Sequence, residues 1–167
     1  MSQIRPIPRI PLDHLFPIDL GHPEDRPDEV GWTVCLDRRP TETGAGTMYK
    51  TWDRSFYDRA RASAGILTFM ELREVLLYNE DEEIMDASIS TPYFFRNGKW
   101  TTPRSDSGGQ QGTTRRWALE RGLCVEGNVI ATDLREGEVI WLSNAVRGYY
   151  RARYTVEHNA TNGTPPD

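Results

Sequence analysis

The dipeptide Asn97-Gly98 constrains this chain more than any other local feature. Both residue types tolerate positive φ, which the two-residue turn matched to strand twist requires at its central positions. The preceding segment, Ile84 to Phe95, alternates Ile89, Thr91 and Tyr93 against Ser88 and Ser90 and ends in the run Tyr93-Phe94-Phe95. Lys99 to Thr102 follows the dipeptide. The spacing predicts two antiparallel strands joined by a tight hairpin.

Further strands are expected at Trp32–Leu36, Glu74–Tyr78, Val125–Thr132 and Glu138–Leu142, which are rich in β-branched and apolar residues and bounded by turn residues. Thr47–Lys50 reads as a short strand. The segment WDRSFYDRARASAG places Trp52, Phe56, Ala60 and Ala64 at helical spacing, with its Arg and Asp residues facing outward. Residues 103–112 read as a loop. Thr113–Arg121 reads as a helix capped by Thr, with Gly122 as its stop. The sum is a mixed α/β chain with mostly antiparallel pairings.

Three segments divide the sequence. Residues 1–30 hold six of the eleven prolines and read as an extended arm, because proline fixes φ and removes a donor. The arm also carries Ile4, Ile7, Ile10, Leu12, Leu15, Phe16 and Ile18, so it is expected to pack on the rest. Residues 31–153 form the folded domain, and 154–167 a polar tail.

Composition excludes several classes. No stretch of the 167 residues approaches the roughly 20 apolar positions needed to span a bilayer. The net charge of −5 argues against a nucleic-acid binder, which carries a basic excess. Cys35 and Cys124 belong to no paired motif, so two buried reduced thiols and no metal site are expected. The first thirty residues contain no apolar signal-peptide core, and a cytoplasmic location is the expectation.

Three features can carry chemistry. Lys50 follows Gly44 and Gly46 and precedes a helix; it is either a solvated surface charge or an amine that forms a Schiff base. GGQQGTTRRWALERG, residues 108–122, runs a Gly-rich loop into Thr113 and Thr114 at a helix N-terminus. That is either an ordinary capped helix or an anion site built from free N–H groups and the helix dipole. LSNAVRG, residues 142–148, is either a strand-end turn or a second wall of the same pocket.

Four segments come in a recognisable order and spacing: YKTWDRSFYDRARA, EVLLYNEDEEIMDASISTPYFFRNGKWTTP, GGQQGTTRRWALERGL and GEVIWLSNAVRG. Over residues 31–150 the chain resembles the C-terminal domain of the fold-type IV pyridoxal-phosphate enzymes, the class IV aminotransferases. Its texture is closest to fungal aminodeoxychorismate lyase-like proteins. The resemblance implies a mostly antiparallel β pseudo-barrel with flanking helices and a homodimer. It also implies pyridoxal 5'-phosphate chemistry, lyase or transaminase, on a small-molecule substrate.

Residue by residue, Lys50 matches the lysine that holds the cofactor and shuttles the α-proton. Asp86, 36 positions later, matches the carboxylate on the pyridine nitrogen. Thr113 and Thr114 match the phosphate cup, Ser143 and Asn144 the second phosphate loop, and Arg54 a basic position of the lyase branch. Tyr49, Trp52, Tyr93 and Arg147 are expected in the substrate cleft.

Two departures leave the function open. The family carries a smaller domain before the lysine, which supplies an arginine to the cofactor phosphate; only 49 residues precede Lys50 here. The family's glutamate is also Asp86, one methylene shorter. The alternatives are a chain that binds no cofactor and uses the opened cleft as a cyclase or isomerase on a fungal-metabolite-like substrate, and a non-catalytic partner of another chain.

Overall fold

The computed structural model describes residues 10–49 and 54–156. Its eight strands are β1 (Val30–Leu36), β2 (Arg73–Tyr78), β3 (Ile84–Ala87), β4 (Thr91–Arg96), β5 (Lys99–Pro103), β6 (Val125–Gly127), β7 (Val139–Asn144) and β8 (Gly148–Tyr154). They form one sheet in the order β3-β2-β1-β8-β7-β4-β5-β6. β1 runs parallel to both β2 and β8, and β5 parallel to β6; the remaining pairings are antiparallel.

The sheet curls until its ends approach each other. Just past β6, Ile130 bridges Glu83 beside β3, with Ile84 N–H donating to Val129 O at 2.7 Å and Ala131 N–H to Glu82 O at 2.8 Å. The result is a half-barrel. Val34, Leu76, Ile84, Phe94, Ile140, Leu142 and Ala152 form one buried cluster, while the alternate residues Cys35, Val75, Leu77 and Met85 turn to the opposite face, as strand periodicity demands.

Four helices flank it: the single turns α1 (Leu12–Leu15) and α2 (Ala45–Met48), then α3 (Ser55–Ser63) and α4 (Thr113–Glu120). α3 packs on β2 and α4 on β7. Among the described residues, no helix is long and apolar enough to cross a membrane.

The hairpin at Asn97-Gly98 is as expected: φ is +52° and +76°, and Arg96 pairs with Lys99. Gly122, at φ +69°, ends the turn after α4, but the residue capping α4 at its start is Gly112, with no side-chain cap. Several expectations are corrected. Residues 45–48 form a helical turn, not a strand. The expected strand Ile84–Phe95 is two strands, broken at residues 88–90 where the chain turns off β2 and joins β7. Val125–Thr132 keeps only three strand residues and then bends into a short helical turn at Ala131–Asp133. Residues 143–144 belong to β7 rather than to a turn, and β8 is unanticipated. On α3 the buried positions are Tyr57, Ala60 and Arg61, so Arg61 faces inward.

The described part of the proline-rich arm lies on the sheet. Leu20 is buried, the Trp141 indole N–H donates to Leu20 O at 2.8 Å, and the Trp100 indole N–H donates to Gly21 O at 2.7 Å. The Arg151 guanidinium donates to the carbonyls of Pro23, Asp25 and Arg26. Gly148 lies against α1, where a Cβ would overlap the His14 carbonyl. Cys35 and Cys124 are both buried and form no disulfide.

Candidate active site

Where β3 hands over to β4, between α3 and α4, an open cavity of 780 Å³ is lined from four directions. Met48, Tyr49, Arg54 and Tyr57 come from the α2–α3 side, and residues 86–91 form the floor. Gln110 to Thr114 come from the loop into α4, and Ser143 to Arg147 from the end of β7 and the turn after it.

Asp86 sits in β3 with 5% of its surface exposed. Its Oδ1 accepts from Ala87 N–H at 3.0 Å, and its Oδ2 from the Tyr57 hydroxyl at 2.5 Å and Gln110 N–H at 3.2 Å. Burial pushes its pKa up to about 7, against the pull of those hydrogen bonds. Burial also pushes the Tyr57 phenol far above its ordinary value, assisted by the Asp86 charge. Gln110 reaches Asp86 because Gly109 lets the loop pass tightly over β3: a Cβ there would overlap the Met85 carbonyl.

The opposite wall is a chain of hydroxyls. Ser143 Oγ donates to Thr114 Oγ1 at 2.8 Å and lies 2.8 Å from the Tyr93 hydroxyl. Thr113 and Thr114 open α4, whose first-turn N–H groups meet no capping side chain. Asn144 is a brace: its Nδ2 donates to Ile89 O at 3.1 Å, and its Oδ1 accepts from the backbone of Val146 and Arg147. Two cations border the cavity. Arg54 donates to Ser88 O at 2.8 Å with its guanidinium over the Tyr57 ring, and Arg147 donates to Phe69 O at 2.9 Å over Trp32.

Of the residues singled out from sequence, the fold thus brings Tyr49, Arg54, Asp86, Thr113, Thr114, Ser143, Asn144 and Arg147 to one cavity. Tyr93 is the exception. It is fully buried on the outer face of the half-barrel, packs on Tyr149, and touches the site only through its bond to Ser143. Lys50 and Trp52 lie outside the described residues, but Tyr49 and Arg54 on either side of that gap both line the cavity. Sequence reasoning missed Tyr57, whose only local signal is its place on the buried stripe of α3, and Gln110 and Ser88, which carry no signal of their own.

Donor set and shape fit pyridoxal phosphate. A buried carboxyl stands on the floor, and uncapped helix amides with neighbouring hydroxyls form an anion wall. The half-barrel places the chain among the aminotransferase-like folds. The chain belongs to the class IV amino-transferase family, whose sequence model matches residues 14–153.

It is 31% identical over 125 residues to a putative aminodeoxychorismate lyase of Schizosaccharomyces pombe, covering 72% of this chain and 54% of that protein. It is 29% identical over 134 residues to the aminodeoxychorismate lyase of Saccharomyces cerevisiae, covering 71% and 36%. Its fold matches the crystal structure of a putative amino-acid aminotransferase from Mesorhizobium loti with a TM-score of 0.65 at 30% identity, over 77% of this chain and 61% of that one. The chain therefore spans about half the length, or less, of the curated relatives it matches.

Proposed function

We propose that this chain supplies the cofactor-holding wall of a pyridoxal 5'-phosphate-dependent lyase or aminotransferase, with Lys50 as the amine that carries the cofactor. Its substrate would be an amino acid or an aminated chorismate-like acid. The observation that carries the reading is the buried Asp86 carboxyl on the floor of a cavity walled by hydroxyls and the start of α4.

The bound cofactor supplies an electron sink for the charge left when the substrate loses a proton. Asp86 would pair with the cofactor's ring nitrogen and hold a proton there, and Tyr57 keeps that carboxyl in place. Thr113, Thr114, Ser143 and the first-turn amides of α4 take the phosphate. Asn144 holds the second wall, and Arg54 and Arg147 offer positive charge to a substrate carboxylate at the mouth. Lys50 takes and returns the substrate proton.

An absorption spectrum with and without added pyridoxal phosphate tests this. The expected result is a yellow protein whose visible band is lost in Lys50→Ala. A wild-type chain that stays colourless at millimolar cofactor overturns it.

One observation favours a second reading, proton-transfer chemistry without a cofactor: Asp86 titrates near neutrality beside a phenol, as a general acid–base must. Isomerase or cyclase activity in a colourless protein, abolished by Asp86→Asn, would select it. We propose further that two copies associate. Phe69, which lines the cavity, and its chain neighbours Leu67 and Met70 are exposed, an apolar patch that a second copy would cover. Sedimentation of the intact chain as a monomer at micromolar concentration would refute this.

A further inference from the structure

We propose that Glu74 is the positioning residue that ties both walls of the cavity to one buried carboxyl. Glu74 lies in β2, behind the cavity, with 1% of its surface exposed, and it does not line the cavity. Its Oε1 accepts from Val75 N–H at 2.9 Å, from Ser88 N–H at 3.1 Å and from the Ser88 hydroxyl. Its Oε2 accepts from Ile89 N–H at 3.1 Å and from the Ser90 hydroxyl at 3.0 Å. Arg61, buried on α3, stands 3.9 Å from Oε1 and donates to the Ser88 hydroxyl at 3.1 Å.

One side chain thus orders the three residues of the β3–β4 link, the part of the floor that follows Asp86. A buried carboxyl needs such a donor set, and the Ile89 amide and the two serine hydroxyls need such an acceptor; the Ser88 amide is shared between Glu74 and Val75 O, at 3.0 Å.

The same side chain reaches the opposite wall. The Ser90 hydroxyl, bonded to Glu74, also bonds the Tyr150 hydroxyl in β8. Asn144 Nδ2 donates to Ile89 O at 3.1 Å and stands 3.5 Å from both Ser90 Oγ and Tyr150 Oη. Through its Oδ1, Asn144 holds the Val146 and Arg147 amides at 3.0 and 2.8 Å. A path of hydrogen bonds therefore runs from Glu74 through Ser90, Tyr150 and Asn144 to the turn that carries Arg147. Glu74 touches none of the groups assigned to cofactor or substrate; it acts through them. This deepens the proposed function, and rests on it only for the identity of what the cavity binds.

Glu74→Gln tests it, because the amide nitrogen must face at least one backbone N–H in place of an acceptor. In the ligand-free chain the Ile89 amide should exchange with solvent at least tenfold faster, and the Ser88 amide, which Val75 O also holds, by less. The NMR resonances of the Val146 and Arg147 amides, which Glu74 does not touch, should move. With pyridoxal phosphate as the probe, Kd should rise at least tenfold, and the visible circular dichroism of the saturated protein should change. Destabilisation alone would leave that saturated signal as in wild type. A folded Glu74→Gln chain with wild-type exchange at 88 and 89 and unmoved 146 and 147 resonances overturns the proposal.

If Glu74→Gln does not fold, Ser90→Ala decides. It should move the 146 and 147 resonances while leaving Ser88 exchange within about twofold of wild type, and moving neither overturns the proposal. A wild-type chain that takes up no pyridoxal phosphate refutes the proposed function, and the exchange and resonance measurements still decide the role of Glu74.

Discussion

The hydroxyl of Tyr57 donates to Oδ2 of Asp86 at 2.5 Å, joining the first turn of α3 to β3 at the floor of the cavity. The phenol meets the carboxyl on its helix side, and Gln110 N–H meets the same oxygen from the loop before α4. Tyr57 is itself 1% exposed, so the pair is locked from the helix side and opens only toward the cavity. Asp86 therefore has its position set by a helix that the hydrophobic core already fixes.

The pH dependence of stability follows from the raised Asp86 pKa. In the unfolded chain Asp86 loses its proton near 3.8, and in the folded chain near 7. Between these values the folded chain holds a proton that the unfolded chain has released, so raising the pH weakens the fold until the folded pKa is passed. The stability difference between wild type and Asp86→Asn should move against wild type from pH 4 to pH 8, by at most about 4 kcal/mol. Urea titrations of both chains across that range check it; a difference that does not vary with pH would contradict the assignment.

Ser143→Ala should cost about 1–2 kcal/mol, because its hydroxyl serves two buried or half-buried partners, Tyr93 and Thr114. The loss should be shared with Tyr93. Chemical denaturation of the single and double variants should show Tyr93→Phe costing less in the Ser143→Ala background. Strict additivity would mean that the two hydroxyls do not cooperate.

Gly109→Ala should be among the most damaging small substitutions. The new methyl would overlap the Met85 carbonyl, and backbone on both sides leaves little room for relaxation. A loss of about 3 kcal/mol is expected, with release of the Gln110 amide from Asp86. A melting temperature within a degree of wild type would show that the loop can lift freely.

Trp141→Phe keeps much of the ring packing and removes the donor to Leu20 O. It should cost about 1–2 kcal/mol and, more diagnostically, expose the segment around residues 18–26 to protease before the remainder of the chain opens. Cleavage at wild-type rates would show that Trp100 and Arg151 hold the arm unaided.

What could be read from the sequence was local chemistry. Asn97-Gly98 specifies its turn through backbone conformation alone, so that hairpin needs no tertiary information. Thr114, Ser143 and Asn144 stand in two loops whose residue types already suggest an anion site, whereas Asp86 could be named only because its motif matches a family; no spacing along the chain brings residues 86, 114 and 143 together. Glu74 shows the limit from the other side. In Glu-Val-Leu-Leu-Tyr it looks like an ordinary strand-end charge, yet its Ser88 and Ser90 partners lie across a turn. Tyr93 lies away from the cavity it is expected to line: alternation tells which residues share a face, not which face meets the cavity. The strand at residues 148–154 was hidden by its two arginines, one of which is buried against carbonyls of the arm.

The grip on the arm has a consequence for how this protein can change over time. Trp100, Trp141 and Arg151 hold residues 20–26 by their peptide oxygens, and only Leu20 among the gripped positions also buries its side chain. A clasp of that kind is nearly blind to spelling and strict about spacing. Beyond Gly21, whose φ of +62° favours glycine, and Asp25, whose carboxylate accepts from His22 N–H, letters here can drift with little penalty, whereas adding or removing a single residue slides every oxygen past its donor. Relatives sharing the clasp should therefore vary in what this stretch says while agreeing on how long it is.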